Sequence, residues 1–206
     1  MRQPQPLSEI DPLRPEIIEA WTEAIVSGDV SAMQAGFRSR GAWGPRILWN
    51  PPPESLPHEP IRFLLEHWHR LRGTRQAPLA REIDALTLRP ALGFVSLLDV
   101  VEGGADFRYR LFGTIPSAVS GFDMTRRLLS EHKASPYMVE YFMGTYRAIL
   151  RRPEPLYTEH RPAATIMTNA WHRIALPLSD DRGAITRFLS ANVPVGHDGN
   201  VIAIGL

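Results

Sequence analysis

The sequence predicts an α+β fold: a five-stranded antiparallel sheet, a long helix between its second and third strands, and a helical extension ahead of it. Three observations carry this prediction. Between Leu97 and Thr114, two apolar runs are separated by Glu102-Gly103-Gly104-Ala105-Asp106. That is a β-hairpin signal, because glycine supplies the positive φ that tight strand reversals need. The second run alternates, placing Phe107, Tyr109 and Leu111 on one face and Arg108, Arg110 and Phe112 on the other, as the two-residue period of a strand requires. From Pro136 to Arg152, Tyr137, Met138, Tyr141, Phe142, Thr145, Tyr146, Ile149 and Leu150 recur at helical spacing behind Ser135-Pro136, and Pro153 stops the helix. Three further strand candidates follow: Leu156 to Arg161, Trp171 to Leu178 and Ile185 to Val193. The last two are joined by the turn Asp180-Asp181-Arg182-Gly183.

The elements ahead of the sheet read as follows. Asp11-Pro12 offers a capping oxygen and a proline for the first helical turn, followed by Ile17, Ile18, Trp21, Ala24 and Ile25 at helical spacing. Ser27-Gly28-Asp29 ends that helix, and Ser31 to Arg38 forms a shorter one with Met33 and Phe37 on a shared face. Residues 1–44 are thus a helical extension. Six prolines between Pro45 and Pro60 forbid a packed helix, so residues 45–60 read as a linker or extended strap. Ile61, Leu64, Leu65, Trp68 and Leu71 then mark an amphipathic helix opening the main domain, residues 61–193. Ile115 to Val119 and Met124 to Leu129 read as short helical turns, and residues 194–206 as a tail, with Val201 to Leu206 a candidate final strand.

Composition narrows the function classes. A chain of 206 residues with 44% hydrophobic and 22% charged residues belongs with globular proteins, away from disordered or membrane compositions. No apolar run spans a bilayer, and Met1 to Ser8, rich in proline and glutamine, does not read as a secretory signal; a cytoplasmic location is expected. Of the 23 basic residues only Lys133 is a lysine. Arg62, Arg70, Arg72, Arg75 and Arg81 cluster without aromatic interleaving, which argues against nucleic-acid binding. Cysteine is absent, excluding disulfides, thiolate metal sites and cysteine nucleophiles.

The order of these elements, with Leu97-Leu98-Asp99-Val100, Arg108-Tyr109-Arg110 and Gly113-Thr114, resembles the PAS domain, in particular a bacterial subfamily carrying those three signatures. The resemblance covers roughly Ile61 to Val193 and implies a PAS-like sheet with helices over one face. Glu82 and Ala85 depart from the subfamily's lead-in tetrapeptide. Arg126 stands where the subfamily usually has glycine, at a turn whose geometry glycine tolerates more readily. The resemblance also bears on cofactors: the covalent flavin and cinnamoyl chromophores of light-sensing relatives attach through cysteine, which this chain lacks. Haem in such sensors is held by a histidine on or near the long helix. Pro136 to Arg152 contains none, and His132 reads as an exposed residue before it.

Motifs for catalysis are missing: no phosphate loop, nucleophile elbow, His-Glu-x-x-His or paired CxxC. The protein is therefore not expected to be an enzyme. His67 and His69 point to different sides of their helix. His160 and His172 could meet across adjacent strands given a turn near Ile166, but without a supporting carboxylate no metal is predicted. The candidate ligand cavity, implied by the resemblance, lies between the long helix and the sheet. With the apolar side of each strand turned inward, Tyr109, Leu111, His172, Ile174 and Leu176 face Tyr137, Tyr141 and Tyr146. Such aromatic hydroxyls and an imidazole could orient a ligand, or the same groups could fill a collapsed core.

Two function classes follow. One is a non-catalytic sensory module in signal transduction that binds a small molecule and acts on a separate protein, since no output domain follows the sheet. The other is a ligand-free PAS-like adaptor. A homodimer is expected through Ile17, Trp21 and Ile25, because an apolar helix outside the core needs a cover.

Overall fold

In a computed structural model, residues 12–162 and 168–202 are described. Asp11, the turn expected near Ile166 and the last four residues lie outside that set. Among these residues there are five α-helices: α1 (Pro15–Ser27), α2 (Ser31–Arg38), α3 (Glu59–Arg72), α4 (Thr114–Ser120) and α5 (Pro136–Arg151). There are six strands among them: β1 (Trp43–Trp49), β2 (Val95–Val101), β3 (Asp106–Leu111), β4 (Leu156–Arg161), β5 (Ala170–Ser179) and β6 (Ile185–Val195). All strand pairs are antiparallel, in the order β1-β4-β5-β6-β2-β3.

The architecture is the α+β, PAS-like one expected, with one strand more. The extra strand is β1, which begins in the last two residues of the expected extension and runs into the proline-rich stretch from Pro45 to Pro60. It pairs with β4 through Ile47 opposite Thr158 and Trp49 opposite Leu156. Pro45 falls at the irregularity between Trp43 and Arg46 on this edge strand, the one kind of strand position where a missing N–H breaks no ladder.

Both faces of the sheet are covered. On one face α1, α2 and α5 enclose a core containing Trp21, Ile25, Phe37, Leu98, Phe107, Tyr141, Tyr146, Ala175 and Phe188. On the other, α3 packs Ile61, Leu64, Leu65 and Trp68 against Tyr157, Ile174, Leu176, Leu178, Leu189 and Val193. The expectation of helices on a single face is corrected here. The apolar stripe of α3 has to be buried somewhere, and β5 and β6, apolar in both alternation sets, provide a second surface.

The amino-terminal helices belong to the first core. Trp21 and Ile25 are buried against α5, and the half-buried Ile17 packs beside them. The apolar face of α1 that suggested a dimer contact is therefore covered from within the chain. The close approach is permitted by Gly144 on α5, whose missing Cβ would stand 3.4 Å from the Ile18 carbonyl oxygen, the Thr22 nitrogen and the Trp21 Cβ. At the start of α1, Arg14 donates to Glu140 of α5 through its backbone N–H (3.0 Å), Nε (2.8 Å) and Nη2 (2.8 Å).

The Gly-Gly hairpin forms as expected, with Gly103 at φ 66° and Gly104 at φ 103°. A Cβ at Gly104 would lie 2.6 Å from Leu150. One feature of β3 departs from strict alternation. Tyr109 pairs with Leu98 but Leu111 pairs with Leu97, so Arg110 is an extra residue, a β-bulge. The bulge reverses the side chains beyond it. Leu111 turns outward, 46% exposed, and Phe112 takes the inward position.

Met124 to Leu129 forms a turn and bridge instead of a helix, the helical turn beginning only at Leu129. Arg126 occupies the left-handed region at φ 71°. Its N–H donates to the Tyr109 carbonyl (2.6 Å), and the Arg127 carbonyl accepts from the Tyr109 N–H (3.0 Å). Pairing with the β3 edge thus holds the backbone in the shape glycine would adopt freely. A side chain in that region costs about 1–2 kcal/mol, partly offset by the unfolded-state freedom that glycine adds. Arg126→Gly should therefore raise the melting temperature by about 1–4 °C, measurable by calorimetry; a lower melting point would mean that the arginine side chain itself stabilises the turn.

Candidate ligand-binding site

A cavity of about 490 Å³ lies between the first half of α5, α4 and the sheet, within the size range of small-molecule pockets. Six elements and the segment between α4 and α5 build it. Tyr109 comes from β3 and Phe112 directly follows that strand; Pro116, Val119 and Ser120 come from α4. Tyr137, Met138 and Phe142 project from α5, and His160, Trp171, Arg173 and Asn192 rise from β4, β5 and β6. Phe122 and His132 close the side between α4 and α5.

The bulge at Arg110 matters here, because it brings Phe112 to this wall. His132 is enclosed by aromatic rings, 4.9 Å from Phe122 and 5.4 Å from Phe142 between centroids. Its Nδ1 accepts the Ala134 N–H at 3.1 Å, which fixes the proton of the neutral ring on Nε2. Burial, reinforced by the positive charge of Arg173, lowers the His132 pKa to about 4. His160 is fully enclosed against Tyr141 and Phe142, and burial followed by Arg173 drives its pKa well below the ordinary histidine value. Burial raises the Tyr109 and Tyr141 hydroxyls, an effect that Arg173 opposes.

Arg173 is the charged centre of the site. Only 3% of it is exposed, and its Cζ lies 5.0 Å from the Phe142 ring centroid, 5.4 Å from Tyr146 and 5.7 Å from Tyr141. Neither Nε nor Nη2 has a hydrogen-bond acceptor.

Of the residues expected to line a pocket, Tyr109 and Tyr137 do so. Tyr141 and Tyr146 sit behind the lining: Tyr146 packs on Phe107 and Phe188, and Tyr141 on Phe37 and His160. Leu111 is turned away by the bulge. His172, Ile174 and Leu176 lie on the opposite face of β5, under α3, because the more apolar alternation set of this strand faces α3. Turning the apolar side toward the long helix fails where both faces are dry.

On that opposite face His172 Nδ1 lies 2.7 Å from the Tyr157 hydroxyl, which donates to Glu159 at 3.0 Å. His172 pairs in register with Glu159, and His160 with Trp171, so the two histidines lie on different faces and do not meet. His132, expected to be exposed, is part of the pocket. Arg173, His160 and Phe112 carry no sequence motif; the only signal for Arg173 is a charged residue in the middle of the apolar run from Trp171 to Leu178. Among the described residues no group of three or more His, Asp or Glu could hold a metal ion. No helix among them is long and apolar enough to cross a membrane.

These histidines predict an acid-sensitive fold. A histidine whose folded pKa is depressed binds fewer protons folded than unfolded between the two values, so it lowers stability as pH falls from 6.5 toward 4. For His132 alone the loss by pH 5 is about 2 kcal/mol. His160 adds in the same direction, as does His58, which burial, then His172 and Arg62, lower to about 4. Denaturant unfolding at pH 7 and pH 5 should show the drop, and it should be smaller in His132→Asn. An unchanged slope in that variant would remove His132 from the explanation.

The chain is thus a small α+β module in which a long helix and an antiparallel sheet border a half-open cavity. A family model described as the PAS domain matches residues 56–191, well over half of the sequence, and the chain belongs to the PAS domain family. No curated protein and no solved structure matches it.

Proposed function

We propose that this protein is a non-catalytic PAS-type sensory or regulatory module that binds a small molecule between α5 and the sheet and acts on a separate protein. The observation that carries the reading is the 490 Å³ cavity, with an aromatic lining and a few buried polar groups. Such a site fixes a ligand's orientation through its polar atoms and gains affinity from its apolar walls. Among the described residues no matched nucleophile, acid and base converge on it: burial keeps His132 and His160 neutral and holds the Tyr109 hydroxyl protonated.

The contacts of the same helix support a route for output. Tyr137 and Met138 line the cavity at the start of α5, and two residues on Glu140 holds Arg14 at the head of α1. A ligand that shifts the first turn of α5 would act directly on the α1 and α2 layer.

Native mass spectrometry of the purified protein and melting across a chemically varied metabolite panel test the reading. A compound present at a hundred times its dissociation constant adds about 2.7 kcal/mol, which for a chain of this size is about 5–10 °C. Absence of both retained mass and any shift across the panel would favour a ligand-free adaptor.

A further inference from the structure

We propose that the cavity takes a small organic monocarboxylate, one carboxyl group on an apolar or aromatic body, with the Arg173 guanidinium as its counter-ion. The inference rests on the ligand-binding reading above and names the ligand's chemical class. Arg173 borders the cavity from β5, and its Nε and Nη2 have no acceptor. Among the described residues the buried and half-buried acids are engaged elsewhere: Glu140 with Arg14, Glu159 with Arg46, Asp99 with Arg187 and Arg110, Glu82 with Arg75, Glu154 with Arg152, and Asp106 and Asp180 with backbone N–H groups. Among the described residues no ion pair reaches Arg173, and residues 163–167 contain no acidic side chain.

Magnitudes decide what the arginine lacks. Its contacts with aromatic rings are worth about 0.5–2 kcal/mol each at best, whereas taking an ion out of water costs several kcal/mol. A counter-anion inside the cavity closes that gap, because a guanidinium binds a carboxylate through charge-assisted hydrogen bonds. The charge count selects among anions. With His132 and His160 neutral, the pocket holds one positive charge, which a carboxylate neutralises. A phosphate monoester carries about −1.5 to −2 and would leave net negative charge among Phe112, Phe122, Trp171 and Met138, where an unpaired charge is costly. Those four side chains define the rest of the ligand as apolar.

The test is titration calorimetry of the full chain with matched probes: phenylacetate against phenylacetamide, hexanoate against hexanamide, and phenyl phosphate. Each acid is expected to bind at least tenfold more tightly than its amide and than phenyl phosphate. Arg173→Gln should bring acid and amide within about threefold of one another, and Arg173→Lys should restore part of the preference. The comparison on the unaltered protein stands even if a variant fails to fold. Equal binding of acid and amide, or tighter binding of phenyl phosphate, overturns the carboxylate assignment while leaving the pocket reading intact. If no acid or amide binds but a neutral compound of the wider panel does, the same holds. If nothing binds at all, both readings fall.

Discussion

Trp68→Ala should lower the melting temperature by about 8–16 °C. Trp68 is the largest side chain of the α3 face and is 1% exposed. Its indole N–H donates to the Pro177 carbonyl at 2.7 Å. Truncating a buried tryptophan costs about 3–5 kcal/mol, and for a chain of about 200 residues each kcal/mol moves the melting point by about 2–4 °C. The Pro177 carbonyl also loses its donor, which keeps the cost from the lower end of that range. The control is Trp43→Ala at an exposed position of β1, expected to change stability by less than about 0.5 kcal/mol. Similar losses from both variants would mean that α3 contributes little to holding the sheet, against the two-faced core described above.

Arg14→Ala should cost about 2–3 kcal/mol, or about 5–10 °C. The Glu140 side chain has no exposed surface, while that of Arg14 is 43% exposed. Removing the guanidinium leaves a buried carboxylate with only the residue-14 backbone N–H among its three donors from that residue. A fully enclosed pair would cost about 3–5 kcal/mol to break; water reaching the vacated arginine site lowers that figure. Placing Glu140→Gln in the same chain removes the charge, so the double variant should recover part of the loss in chemical unfolding. If Glu140→Gln deepens the loss in the Arg14→Ala background by its full single-variant amount, the two residues are uncoupled, and the link between α5 and α1 is not made by this pair.

The sheet and long helix were legible in the sequence because their signals are local. Gly103 and Gly104 mark a reversal, Phe107 and Tyr109 alternate with arginines, and the aromatic stripe of α5 repeats every helical turn. What stayed hidden depends on partners distant in sequence. β1 was obscured by prolines, which an edge strand tolerates because its outer side pairs with nothing. Arg110 carries no mark of a bulge, yet that one residue exchanges Leu111 for Phe112 at the cavity wall. The orientation of β5 could not be read from its own apolar pattern, since Ile174, Leu176 and Leu178 meet α3 while Ala175 meets the α5 side. Choosing the more apolar set as the pocket side therefore selected His172 and Ile174 in place of Trp171 and Arg173. The enclosure of His132 is hidden for a related reason: the four aromatic rings around it are Tyr109 on β3, Phe112 just after that strand, Phe122 after α4 and Phe142 on α5.

The central claim is that a ligand enters the cavity beneath the first turns of α5, and methionine methyl NMR measures this most directly. Met138 lines the cavity, whereas Met33 and Met143 are packed in the core. Titrating phenylacetate, or whichever compound of the panel raises the melting temperature most, into protein labelled at the methionine methyls should move the Met138 resonance in a saturable way while Met33 and Met143 hold within their linewidths. Shifts at Met33 or Met143 with Met138 unmoved, or no saturable shift at any methyl, would contradict the account.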